Sequence, residues 1–287
     1  DAGHAVLFGV VALAALVALP GRPGDPPARR RATYGTAFVI AAVLGAASET
    51  MQFFGPRDAD LWDLARDVVG AGAFLLFAAT FEAGVVSWPR RPHVPFAALA
   101  RIGAVVLLLL AFVPVAATAT AYGFRNAAFP HLMDFESYWE SRVLETRGAD
   151  ITLAFLPEPW NEDPTRLVGM VTFRPGGYSS MILREPVPDW GAYRALRFEV
   201  VSTLDREVDL TVRIDDEIAI RHPEFGERYQ GEFTIGPGRN DIEIPLDEVR
   251  EGPRERSLDL ARIRQVLVFD KFEGEPYSLY FDSFRLA

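Results

Sequence analysis

Asp1 and His4 lie three residues apart ahead of an apolar run, Glu49 and Gln52 lie three apart at the end of another, and Arg57, Asp60, Asp63 and Asp67 follow. An imidazole beside carboxylates can move a proton, with His4 or Glu49 as the acid or base, and the Arg57 guanidinium suits a lipid phosphate. Spacings of three and four place Glu49 with Gln52, and Asp63 with Asp67, on one helical face. A plainer reading uses the same residues. Asp60 can cap a helix whose first turn holds Asp63, Asp67 can pair with Arg57 or Arg66, and Glu49 can reach the headgroup region. Asp1, His4, Glu49, Gln52, Arg57, Asp63 and Asp67 therefore form a candidate polar cluster without an assigned reaction.

The elements that must position this cluster are four apolar stretches, residues 5–19, 33–54, 68–86 and 98–122. A bilayer-crossing helix needs about 20 apolar residues, a length the last three reach and the first narrowly misses. Four stretches separated by charged loops are more than one signal peptide. Arg22, Arg29, Arg30 and Arg31 in the first loop, with Arg90 and Arg91 in the third, place those loops in the cytoplasm. The second loop, 55–67, then faces outward together with the polar cluster and everything after the last span. Glu82 is expected to snorkel or to pair with Arg90 or Arg101, and Ala42, Gly45 and Ala46 to allow close helix packing. The chain opens on Asp1 rather than Met, which leaves room for residues upstream, a further hydrophobic helix among them.

Asp1-Ala-Gly-His4, Glu49-Thr-Met-Gln52, and Pro56-Arg57 leading to Asp63, Asp67 and Gly70 together resemble the VanZ-like membrane proteins of bacteria, over roughly the first 90 residues. Position 67 is Asp where that family usually has Asn, and the Asp-to-His spacing is one residue shorter than in many members. The resemblance implies a multi-pass bacterial inner-membrane protein in contact with membrane lipid, one member type being associated with low-level glycopeptide (teicoplanin) resistance. It implies no established reaction.

Residues 125–287 differ in character, with 20 Lys and Arg against 31 Asp and Glu, in a chain whose net charge is −10. That acidity argues against nucleic acid as a partner. The chain has no cysteine, which removes disulfides and thiolate metal sites. Short alternating runs at 196–201, 209–214, 231–235, 241–245, 265–269 and 277–284 are bounded by Gly, Pro, Asn and Asp and predict strands. Helical turns are expected only at 134–141 and near 260. The expected fold is thus multidomain: an α-helical transmembrane bundle of about four spans in 1–124, then an all-β, jelly-roll-like sandwich in 125–287.

Asp134-Phe-Glu136, Gly177-Tyr-Ser-Ser-Met181, Asp189-Trp190, Arg213-Ile-Asp-Asp216, the run 240–246 and Leu279-Tyr-Phe-Asp282 together resemble carbohydrate-binding, galactose-binding-like sandwiches. The resemblance implies a module that binds envelope glycan or peptidoglycan, with a structural calcium at Asp134, Glu136 and Asp282 where first and last strands meet. In strand 210–216, Leu210, Val212 and Ile214 should face the core and Thr211, Arg213 and Asp215 the other side. Arg213 and Asp215 could there bind sugar hydroxyls while Trp160, Tyr178 or Tyr229 supplies a stacking platform; a solvated face of ordinary ion pairs is the plainer alternative. Trp139 and Trp190 are expected in the core. His4, His93, His131 and His222 lack zinc-motif spacing, and neither a G-x-S-x-G elbow nor a phosphate loop occurs. Asp189, Asp215 and Glu217 show no spacing that marks a glycosidase pair. Binding and anchoring are therefore favoured over catalysis. The rivals are an enzyme or lipid-handling site at Glu49, Arg57 and Asp63, and a sandwich that binds another protein.

Overall fold

The computed structural model describes residues 3–22, 24–53, 61–82, 85 and 96–287. Asp1, Arg57, Asp60, Arg90, Arg91, His93 and the side chain of Gln52 lie outside the described residues. The chain forms two compact units, Asp1–Ala119 and Thr120–Ala287.

The four apolar stretches fold as helices α1 (His4–Ala18), α2 (Pro27–Phe53), α3 (Leu61–Ala79) and α4 (Phe96–Ala128). Of the four expected spans, two meet the length and apolarity of a bilayer crossing. Among the described residues only Pro27–Met51 and Arg101–Ala128 are long and apolar enough to cross a bilayer. Helix α1 has 15 residues, about 22 Å at 1.5 Å per residue against a hydrocarbon core of about 30 Å. Helix α3 places Asp63, Arg66 and Asp67 in its first two turns.

Three ridges of fourfold spacing hold the first unit together: His4, Phe8, Ala12 and Leu16 on α1; Ala37, Ala41, Gly45 and Glu49 on α2; Asp63, Asp67, Ala71, Leu75 and Ala79 on α3. Apart from half-buried His4, every one of these side chains or glycines is buried. Such rows are the ridges that interdigitate when helices cross. The expected small-residue trio shifts by helical phase: Gly45 is buried in one ridge with Ala37 and Ala41, whereas Ala42 is half-buried and Ala46 exposed. Contact between α1 and α3 is close enough that a Cβ on Gly70 would lie 1.9 Å from the Ala5 carbonyl oxygen. At the far end of α2, Glu82 accepts from Arg30 Nε and Nη2 at 2.6 Å each and from the Tyr34 hydroxyl at 2.9 Å. Arg30 is thus its partner among the described residues; the expected Arg101 donates instead to the Thr80 carbonyl, and Arg90 lies outside them.

The second unit is a sandwich of two antiparallel sheets. One carries, in order, β3 (Ala149–Phe155), β4 (Leu167–Phe173), β11 (Tyr277–Leu286), β6 (Ala195–Ser202) and β9 (Gly238–Pro245), with β1 (His131–Met133) also paired to β11. The other carries β2 (Leu144–Arg147), β5 (Ser179–Arg184), β10 (Ile263–Asp270), β7 (Val208–Asp216) and β8 (Tyr229–Ile235). All six expected strands are present, each extended at one end or both. Two short helices, α5 (Glu217–Arg221) and α6 (Leu246–Glu251), were not expected, and the turn foreseen at 134–141 is a 3-10 helix at Tyr138–Arg142. Alternate residues fill the space between sheets: Leu210, Val212 and Ile214 face inward with Phe173, Leu196 and Phe281. The Phe198 and Phe284 rings stack 4.5 Å apart. Trp139 and Trp190 are core residues as expected, and the Trp190 indole donates to the Val187 carbonyl at 2.8 Å.

Gly70→Leu should break the α1–α3 contact, costing about 1–3 kcal/mol or more. In detergent the full chain should then lose its monodisperse elution, while Gly103→Leu, at a glycine with nothing within 4 Å, should elute like the native protein.

Candidate functional site

In the helical unit, the three ridges end in polar residues at the same place. His4 Nδ1 donates to Asp67 Oδ1 at 3.0 Å, and His4 Nε2 lies 3.9 Å from Asp63 Oδ2. Asp63 also pairs with Arg66. His4, Glu49 and Asp67 each offer a ligand atom within 4.8 Å of the others. Asp67 is 1% exposed, and its Oδ2 has no hydrogen-bond partner among the described residues. A Cβ at Gly45 would come within 3.0 Å of that oxygen, so the glycine makes its room. Three elements distant in sequence therefore converge on one imidazole and two buried carboxylates, a donor set that suits a divalent cation or an acid–base pair.

In the sandwich, the outward face of the β2-β5-β10-β7-β8 sheet forms a cleft of about 320 Å³. Its floor follows from strand register. Gln230, Arg213, Leu267 and Ile182 form one cross-strand row, and Thr211, Phe269, Ser180 and Arg147 the next. Residues one step along each strand point into the core. Tyr178 and Phe225 flank the floor and are 65% and 58% exposed. Gly148, at φ +64°, turns β2 into β3 directly beneath Tyr178, and a Cβ there would stand 3.0 Å from the Tyr178 carbonyl oxygen. Only glycine meets both conditions without strain.

A chain of polar contacts lies beside the cleft. Arg213 Nε and Nη2 both donate to the fully buried Asp215 carboxylate at 2.8 Å. Gln265 donates to the same carboxylate and accepts from Arg184 Nη1 at 2.8 Å. Arg184 continues to Glu145, which also takes Arg147. Hydrogen bonds from Arg184 and Arg147 hold the Glu145 carboxyl below its ordinary value. Two cleft atoms are left over: Arg228 Nε and Gln230 Oε1 are buried without a hydrogen-bond partner among the described residues.

Phe225 and Arg228 are held in place by Asp216, where β7 ends. Its carboxylate takes Arg256 Nη1 at 2.6 Å and Nη2 at 2.8 Å, the Ala219 amide and the Asp259 amide at 2.9 Å each. Arg256 Nε in turn donates to Glu227 Oε2 at 2.6 Å, which clamps the segment between α5 and β8. Burial alone would raise the Asp216 carboxyl, but Arg256 and the two amides outweigh it and hold it below its ordinary value.

Of the residues expected to bind, Tyr178 and Arg213 line the cleft, and Asp215 lies fully buried, ion-paired to Arg213. Tyr229 is corrected: it is 6% exposed and belongs to the core, because it pairs with inward-facing Ile214. Its neighbours Arg228 and Gln230 take the outward positions. Trp160 lies against Gly238 and outside the cleft lining. Among the described residues, Asp134, Glu136 and Asp282 do not form a close set of ligand atoms. Asp282 pairs with Arg166 at 2.8 Å, Asp134 accepts the Glu136 amide at 3.0 Å, and Glu136 is exposed. Burial, with Glu199 and Asp134 nearby, pushes the Asp282 carboxyl up to about 6 despite Arg166. Phe225, Arg228, Gln230 and Phe269 were missed, although the period-two alternation through β8 carried the signal for Arg228 and Gln230.

The chain matches no protein-family model and no curated protein. Solved structures to which it is similar include a family 11 carbohydrate-binding module from Clostridium thermocellum, in complex with a β-1,3-1,4-mixed-linked tetrasaccharide. There the identity is 18%, the coverage 54% of this chain and 93% of that one, and the TM-score 0.42. An exo-β-agarase matches at 14% identity over 55% of this chain and 24% of that one, with a TM-score of 0.43. A family 30 carbohydrate-binding module of a Clostridium thermocellum cellulosomal cellulase matches at 12% over 50% and 86%, at 0.36. Likeness at these scores carries no function across, and the cleft is judged by its own groups.

Asp216→Asn in the full chain should loosen residues 225–230 by about 3 kcal/mol, since it leaves Arg256 without its buried partner. Hydrogen exchange should report faster opening there and unchanged protection in β4, β11 and β6. The folded carboxyl titrates below its unfolded value of about 4, so its stabilisation is complete above that pH and is lost only as pH falls through the depressed folded value. Native loop protection should accordingly be flat from pH 5 to 8 once intrinsic exchange rates are corrected for.

Proposed function

We propose that this chain is a bacterial envelope protein in which a membrane-embedded helical unit carries a saccharide-binding β-sandwich. The observation that supports it most directly is the cleft. Two exposed aromatic rings face a floor of Arg213, Gln230, Ser180 and apolar side chains, the mixture of stacking surface and fixed hydrogen-bonding groups that a hydroxyl-rich, partly apolar sugar ring needs. The bilayer assignment draws on the two long apolar helices and on the VanZ-like pattern at His4, Glu49, Asp63 and Asp67. A role in cell-envelope maintenance or glycopeptide tolerance belongs to the same proposal.

A second reading is favoured by the unpaired, buried Asp67 Oδ2 beside His4 and Glu49: the helical unit binds a divalent cation, which could serve an enzyme or lipid-handling site there. Adding Zn²⁺ to the metal-free full chain in micelles should then raise its thermal midpoint, and His4→Ala and Asp67→Asn should each abolish the rise. An unmoved midpoint in the native chain would leave the trio as a polar end to the helix packing.

For the cleft, the full chain in micelles is titrated with a mixed-linked β-glucan tetrasaccharide and with soluble peptidoglycan fragments. Saturable binding to at least one is expected, and Tyr178→Ala and Phe225→Ala should each weaken it by about tenfold. Binding that survives both substitutions would place the ligand elsewhere.

A further inference from the structure

The cleft has a charge opposite to that of the protein around it. Arg147, Arg213 and Arg228 line it, and among the described residues no carboxylate does, in a chain of net charge −10. Two of these cations already have carboxylate partners. Arg213 pairs with Asp215, two residues along the same face of β7, and Arg147 shares Glu145 with Arg184. Arg228 differs: no ion pair joins it to a described residue, and its contacts are a 3.4 Å bond from Nη1 to the Pro223 carbonyl and the Phe225 ring 5.6 Å from its guanidinium carbon. Its Nε is buried and unpartnered.

Leaving a guanidinium N–H buried without an acceptor is costly, and a charged one more so. Burial and the neighbouring Arg213 both lower the Arg228 pKa, yet a guanidinium remains charged at neutral pH. The second leftover atom has the opposite need. Gln230 Oε1, also buried and unpartnered, lies two residues further on the same face of β8 and requires a donor. One ligand meets both needs if it presents an oxyanion to Arg228 and, a few ångströms away, a hydroxyl to Gln230, with a flat apolar face for Tyr178 and Phe225. A neutral sugar meets only the second need, and a simple anion only the first.

We infer that the cleft selects a saccharide bearing an oxyanion, a carboxylate or a sulfate ester, seated against Arg228 with an adjacent hydroxyl on Gln230. This rests on the saccharide reading of the cleft and narrows it. The anion is placed at Arg228 because that guanidinium has no ion pair with a described residue, whereas Arg213 is held by Asp215, and Arg147 and Arg184 share Glu145.

The test uses the full chain in uncharged detergent at low salt with three probes: a neutral cello-oligosaccharide, the same oligosaccharide with one uronic acid, and the same with one sulfate ester. A charged probe should bind about tenfold to a hundredfold more tightly than the neutral one, as expected for a charge-assisted bond made in a buried site. Whichever of the two does so names the oxyanion. Arg228→Met should erase that advantage, costing the charged probe at least about tenfold more than the neutral one, and Tyr178→Ala should weaken all three alike. Equal binding of the three probes, or an Arg228→Met loss shared by neutral and charged probes, would overturn the inference and leave the saccharide reading intact. Binding of none of them would overturn both.

Discussion

A single buried carboxylate, Asp216, decides whether the sandwich has a cleft. It sits where β7 must stop being a strand and takes four donors from three different segments: the start of α5, the guanidinium of Arg256 and the Asp259 amide. Those bonds fix the long excursion between β7 and β8 and its neighbour ahead of β10. Phe225 and Arg228 ride on that excursion. The opposite wall needs less: Tyr178 stands beside the tight glycine turn at Gly148. One wall is thus a local property of a turn, and the other is a long-range property of one ion pair.

Beside the cleft, a polar layer sets the guanidiniums of Arg213, Arg184 and Arg147 against the carboxylates of Asp215 and Glu145. Asp215 is fully buried, a position that would be prohibitive for an isolated carboxylate, yet it is met by Arg213 and Gln265, and the chain continues through Arg184 to Glu145 and Arg147. Each member satisfies the next, so the layer orients its side chains through shared hydrogen bonds. Arg228 is outside this layer, which is why its charge remains available.

The sequence was most legible where one physical rule acted alone. Period-two alternation marked β6, β7, β9, β10 and β11, and the inward set Leu210, Val212 and Ile214 followed from it directly. Strands β3 and β4 were obscured because β4 is buried on both faces and reads as a continuous apolar run, while β3 exposes Leu153 and Phe155 on an edge. Tyr229 was misread by one residue: an aromatic looks like a platform, but the phase of β8 is set by its pairing with Ile214, which cannot be seen in the local string. The four apolar stretches did become helices, yet how many of them suit a bilayer depends on length and on where charges fall, and α3 is decided by Asp63, Arg66 and Asp67 together. The convergence of His4, Glu49 and Asp67 was anticipated from a shared leaflet; the structure achieves it through three ridges of fourfold spacing.

The alternation in β7, β8 and β10 separates two kinds of heritable change. Substitutions at 211, 213, 230, 267 and 269 alter the cleft-facing surface, while those at 212, 214, 229, 266 and 268 alter the packing between sheets. Single codon changes can therefore remodel the floor of the cleft and leave the interior untouched. A one-residue insertion within β8 would be a different kind of event, because it exchanges the two sets and alters cleft and packing together.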